Sequence, residues 1–141
     1  MLLKDHLKAL GARHGIVALY AFGSRATEIA ERVRGDAGPL AHPESDVDIG
    51  IQPARKRHLT AQERVRLAME LEDLLGVKRV DVVVLPEADP FLAVEAIRGE
   101  LLYCADPDVQ AEDELYVLRR AGDLAHYVRD RWQHILAGSA P

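Results

Sequence analysis

The chain has 141 residues, 48% hydrophobic but only 5% aromatic, which is enough for one aliphatic core and too few for a second full domain. With 18 Lys and Arg against 23 Asp and Glu the formal charge is -5, and the arginines are scattered, which argues against a dedicated DNA- or RNA-binding module. The lone Cys104 excludes an internal disulfide, no apolar run reaches the roughly 18 residues that span a bilayer, and the N-terminus lacks a signal-peptide pattern, so a cytoplasmic setting with no membrane is expected.

Leu2, Leu3, Leu7 and Leu10 fall at helical spacing and are followed by Gly11 and Gly15, a helix with its stop. The run IVALYAFG over 16–23 is nearly all apolar and predicts a strand buried on both faces. Residues 24–34 read as a helix ending at Gly35, and 35–44, GDAGPLAHPE, as the one loop-like island. DVDIGIQ, 46–52, alternates acidic with β-branched residues until Pro53, a second strand. Thr60 and Glu63 form a capping box before Val65, Leu67, Ala68, Leu71, Leu74 and Leu75, a helix closed by Gly76. VDVVVL, 80–85, is a third strand ended by Pro86. Asp89-Pro90 opens a short helix over 91–98, and 101–104 is a fourth strand at an edge. Beyond Asp106-Pro107, the residues Leu115, Leu118, Ala125, Val128, Trp132 and Ile135 trace one face of a long helix. The expected fold is α/β (α+β), a small mixed sheet with helices packed on it. It forms a single domain over 1–141, with a core of about 16–104 and a helical C-terminal segment of about 107–137.

Three places carry chemistry. Gly23-Ser24 sits where a buried strand turns into a helix: glycine lets the backbone turn tightly, and the helix start offers unpaired N–H donors, to which Ser24 adds a hydroxyl and Arg25 a charge. The plainer reading is that Ser24 caps the helix. In Asp46-Val47-Asp48 the two carboxylates project from one face of a strand, where their repulsion calls for a compensating cation; alternatively they are solvated surface acids. Asp81 stands among valines, where an acid is costly unless paired, metal-bound or at the strand end; Arg79 or Lys78 is its plain partner. If its strand neighbours the one bearing Asp46 and Asp48, three carboxylates converge as two-metal phosphoryl chemistry requires.

In this order, Gly23-Ser24 in "FGSRA", Asp46-x-Asp48 in "SDVDIGI" and Asp81 in "VDVVVL" resemble the nucleotidyltransferase superfamily of the polymerase-beta type. The size and the corner motif resemble its minimal nucleotidyltransferase (MNT) branch, and the likeness covers roughly 16–85. The resemblance implies that Asp46 and Asp48 bind Mg²⁺, that Asp81 is the third carboxylate of a site for one or two ions, and that Gly23 and Ser24, with Arg25 beside them, hold the phosphates of ATP. An acceptor hydroxyl would attack the α-phosphate in line, and a nucleoside monophosphate would be transferred. No histidine is needed for this, and the six in the chain, His42 included, are given no role. The 21 residues from Arg25 to Ser45 make a longer interval than most minimal members have.

Minimal nucleotidyltransferases of this kind are commonly antitoxins. They transfer AMP to a tyrosine of an all-helical HEPN-domain ribonuclease toxin, so the resemblance implies a Mg-dependent protein adenylyltransferase with a HEPN-domain partner. Two other readings stay open: the same chemistry on a small molecule or RNA, and neutralisation of a partner by binding alone. The last helix, with Trp132, Arg119, Arg120, Arg129 and Arg131, is either a docking surface or ordinary packing with a solvated basic face. Arg129 and His134 in that helix satisfy the loose Arg-x4-6-His spacing of HEPN ribonucleases, a pattern that arises readily by chance in an Arg-rich helix.

Overall fold

The computed structural model describes residues 2–35 and 45–138, so the loop expected over 35–44, with His42, lies outside the described residues except for Gly35. Its centre is the apolar run that the sequence marks as buried on both faces. Strand β1 (Ile16–Phe22) lies between β2 (Val47–Pro53) and β4 (Glu100–Cys104), antiparallel to both. β3 (Val80–Val84) pairs parallel with β2 on the far side, so the sheet order is β3-β2-β1-β4, and β4 is at an edge as expected.

Alternation along β1 sorts the core into two layers. Leu19 and Ala21, with Val47, Ile49 and Ile51 of β2, pack under α1 (Leu3–His14), α2 (Ala26–Val33) and α3 (Ala61–Leu75). Ala18, Tyr20 and Phe22 face the other way, toward α4 (Pro90–Ile97) and α5 (Pro107–Leu136). The second layer is tied by a buried phenol: Tyr20 donates to Glu114 of α5 at 2.8 Å and accepts from Gln110 at 3.3 Å.

Most helix ends follow their local chemistry. Thr60 Oγ1 accepts the Glu63 N–H at 3.1 Å and Glu63 reaches back to the Thr60 N–H at 3.2 Å, the reciprocal cap read from the sequence. Asp89 and Asp106 cap α4 and α5, each followed by a first-turn proline. Gly15 and Gly76 end α1 and α3 in the left-handed conformation. Gly11, by contrast, does not end α1. It lies inside the helix because a Cβ there would stand 2.4 Å from the Tyr103 ring of β4, so the glycine serves close packing.

Two apolar faces differ from their expected placement. In α3, Leu67, Leu71 and Leu75 are fully buried while Val65 is 61% exposed. In α5 the residues that reach the core are Val117 and Ala121, whereas Leu115, Leu118, Val128, Trp132 and Ile135 are all exposed. The face traced from spacing is therefore not the packed one: Leu115 and Leu118 flank the core-facing Val117, and Val128, Trp132 and Ile135 lie beyond Ala121, the last buried residue of α5. Arg129 and His134, both exposed on this outer half, are five positions apart and so well separated around the helix.

Candidate functional site

The β1–α2 corner, the start of β2 and the start of β3 meet at one end of the sheet. Phe22 pairs with Asp48 across β1 and β2, and Asp48 is in register with Asp81 across β2 and β3. The adjacency required for the three carboxylates to converge is therefore present. Asp46 lies one residue before β2 begins rather than inside it, and the Val47 N–H donates to the Arg79 carbonyl at 3.0 Å, so the entries of both strands are stitched together.

Gly23 closes the other side. Its φ is +80°, a left-handed conformation that L side chains rarely adopt, and a Cβ there would stand 2.7 Å from Oδ2 of Asp48. The turn thus lies against the Asp48 carboxylate with no room for a side chain. Gly23 and Ser24 are both exposed. The residue in the cap position of α2 is Arg25, whose side chain makes no capping bond, so Ser24 is not the cap that the plainer reading made it.

Arg25 turns inward. Only 6% exposed, its guanidinium donates to the Ser45 carbonyl at 2.6 Å and pairs with Glu28 at 3.4 Å, while among the described residues its Nε finds no acceptor. These contacts tie the corner after β1 to the chain just ahead of Asp46. They hold the two motifs in place from behind, a task that the motif spacing alone does not reveal.

Electrostatically the site is short of positive charge. The Asp48 carboxyl is raised above its ordinary pKa, first by burial and then by the negative charges of Asp81 and Asp46. One guanidinium offsets this from the rim: Arg79 Nε donates to Asp81 Oδ1 at 3.2 Å and lies 3.9 Å from Asp46 Oδ2, the pairing that the plain reading of Asp81 anticipated. Clustered carboxylate oxygens suit a hard divalent cation such as Mg²⁺. As the side chains stand, among the described residues no group of three His, Cys, Asp or Glu is arranged to hold a metal, Arg79 lying between two of the three acids.

A glycine turn pressed on the second aspartate of an Asp-x-Asp strand, with a third acid in register on the next strand, is matched in sequence. The family profile described as "Polymerase beta, Nucleotidyltransferase" aligns with residues 5–108, which span all four strands. The chain belongs to this nucleotidyltransferase family. No curated protein shows significant sequence similarity to it. Solved structures extend the likeness to almost the whole chain. A mutant of the toxin–antitoxin MntA-HpeT matches with a TM-score of 0.63 and 22% identity, over 97% of this chain and 98% of that one. A toxin–antitoxin structure with AMP-PNP matches with a TM-score of 0.61 and 23% identity, over 97% and 98%. The tri-AMPylated HEPN toxin of Shewanella oneidensis in complex with its MNT antitoxin matches with a TM-score of 0.59 and 21% identity, over 98% and 97%. At these identities the likeness is one of fold, and it takes in the long α5 as well as the nucleotidyltransferase core. Among the described residues, no helix is long and apolar enough to cross a membrane.

Proposed function

We propose that this nucleotidyltransferase moves AMP from ATP to a tyrosine hydroxyl of a HEPN-type ribonuclease toxin and thereby acts as its antitoxin. The observation that carries the reading is the register of Asp48 against Asp81, with Asp46 beside them and the Gly23 turn packed on Asp48. The MNT–HEPN complex of the same fold, whose toxin is tri-AMPylated, supports the choice of acceptor.

Each group has a distinct task. The exposed Gly23-Ser24 turn offers backbone N–H donors and the Ser24 hydroxyl to the triphosphate. Asp46 and Asp48 would hold a divalent cation, which supplies charge neutralisation for the triphosphate and for departing pyrophosphate. Asp81, which would share in holding divalent metal as the third carboxylate, orients the tyrosine hydroxyl and takes its proton as the oxygen attacks the α-phosphorus and the bond to pyrophosphate breaks. Arg25, through Ser45, keeps Asp46 in place while contributing no direct contact.

The outer half of α5 is the surface offered to the toxin. Val128, Trp132 and Ile135 repeat at three- and four-residue spacing and are all exposed, with Arg129 and Arg131 on either flank. An apolar stripe bordered by arginines suits a helix with acidic edges, and exposed Trp is the residue type that most often anchors such contacts. The test is incubation with Mg²⁺, labelled ATP and the toxin encoded beside it, followed by intact-mass analysis. One or more AMP units on the toxin, absent with Asp46→Asn, is the expected result. A stable complex that gains no mass refutes the transfer and leaves neutralisation by contact, the reading that the α5 surface alone would support.

A further inference from the structure

Arg79 stands at the rim of the carboxylate cluster and is anchored from both ends. Its carbonyl accepts the Val47 N–H between Asp46 and Asp48, and its Nε bonds Asp81 while lying 3.9 Å from Asp46. The guanidinium thus stands between an acid assigned to one strand entry and an acid on its neighbour. The Asp48 carboxyl is raised first by its burial and then by the negative charges of Asp81 and Asp46 beside it, and a resident positive charge relieves that second cost. At the same time the side chain is 66% exposed, so it is held loosely enough to leave.

We propose that Arg79 is the built-in counter-cation of this cluster, a positioning residue that holds Asp46 and Asp81 facing each other and that a divalent ion must displace on binding. The proposal rests on reading Asp46, Asp48 and Asp81 as the metal-binding acids. Arg79 then sets the metal concentration at which the site fills, because each binding event breaks its ion pairs. It is distinct from Arg25, which is buried and turned away from the acids toward Ser45.

The experiment is calorimetric titration of the intact protein with Mn²⁺ alone, without nucleotide, compared across wild type, Arg79→Ala, Arg79→Lys, Asp46→Asn and Asp48→Asn. Arg79→Ala is expected to bind Mn²⁺ about twofold to fivefold more tightly, the range for an exposed pair that no longer has to be broken, and Arg79→Lys to stay near wild type. The gap between Ala and wild type narrows in high salt, which screens the pair. A second readout separates this from a merely structural role: the Mn²⁺-induced rise in Tm is larger for Arg79→Ala than for wild type, whereas lost packing would lower Tm equally with and without the ion. Unchanged or weaker Mn²⁺ binding by Arg79→Ala, with binding still abolished by Asp48→Asn, overturns the role of Arg79 and leaves the site reading intact. Mn²⁺ binding that survives both Asp→Asn changes overturns the two together.

Discussion

Replacing Gly23 by alanine probes the candidate site where its geometry is tightest. The substitution carries two costs. At φ +80° an alanine backbone is strained by about 1–2 kcal/mol, the usual penalty for an L-residue in the left-handed region. The added Cβ would also lie 2.7 Å from Asp48 Oδ2, when ordinary contact begins at 3.4 Å, so the carboxylate has to retreat by the difference. In a chain of this length each kcal/mol is worth about 3–5 °C in Tm, so the strain is expected to lower Tm by about 3–10 °C and leave the protein folded. The effect on transfer is larger, because a displacement approaching 1 Å in a catalytic group costs about 100-fold. Initial rates of AMP addition to the toxin, followed by intact mass, should therefore fall about 100-fold while thermal unfolding shows a folded chain. Wild-type rates in a folded Gly23→Ala protein would refute the placement of the nucleotide between this turn and Asp48.

Three further outcomes are expected. Asp48→Asn abolishes transfer yet raises Tm at neutral pH: a carboxyl whose folded pKa exceeds its unfolded value loses stability as pH rises through that interval, and the amide removes this loss. The gain is about 0.5 kcal/mol, at the low end for a relieved functional site because the group is partly solvated, and it vanishes below the carboxylate range; a melting series against pH checks it. Leu71→Ala, at a fully buried position of α3, should cost about 2–5 kcal/mol by urea unfolding, whereas Val65→Ala on the same helix stays within about 0.5 kcal/mol. Trp132→Ala should leave Tm unchanged within about 2 °C and weaken the toxin complex at least about fivefold, measured by surface plasmon resonance.

The elements that local chemistry determines were readable from the chain: the Thr60–Glu63 cap, the prolines after Asp89 and Asp106, and the two-sided apolarity of β1. The order of Gly-Ser, Asp-x-Asp and a later strand acid likewise points to the family. What spacing could not disclose were the facts set by tertiary neighbours. Gly11 looked like a stop because its reason, the Tyr103 ring, lies on a strand far along the chain. The apolar stripe of α5 looked like a core face because periodicity shows that a stripe exists and not what covers it. Nor does spacing disclose that the guanidinium of Arg25, next after Gly-Ser, folds back onto the Ser45 carbonyl.

The parallel pairing of β2 with β3 also governs when the protein becomes competent. Parallel neighbours cannot be joined by a hairpin, and here the crossover runs through all of α3 before Asp81 can take its place beside Asp48. Gly23, Asp48 and Asp81 thus belong to distant stretches of chain whose contact depends on closing long loops, which makes their pairing intrinsically slow. A nascent or truncated chain ending before β3 would hold the Gly-Ser turn and both early aspartates and still lack the site. On the site proposed above, transfer competence is thus a late product of synthesis, absent from any chain that stops before β3.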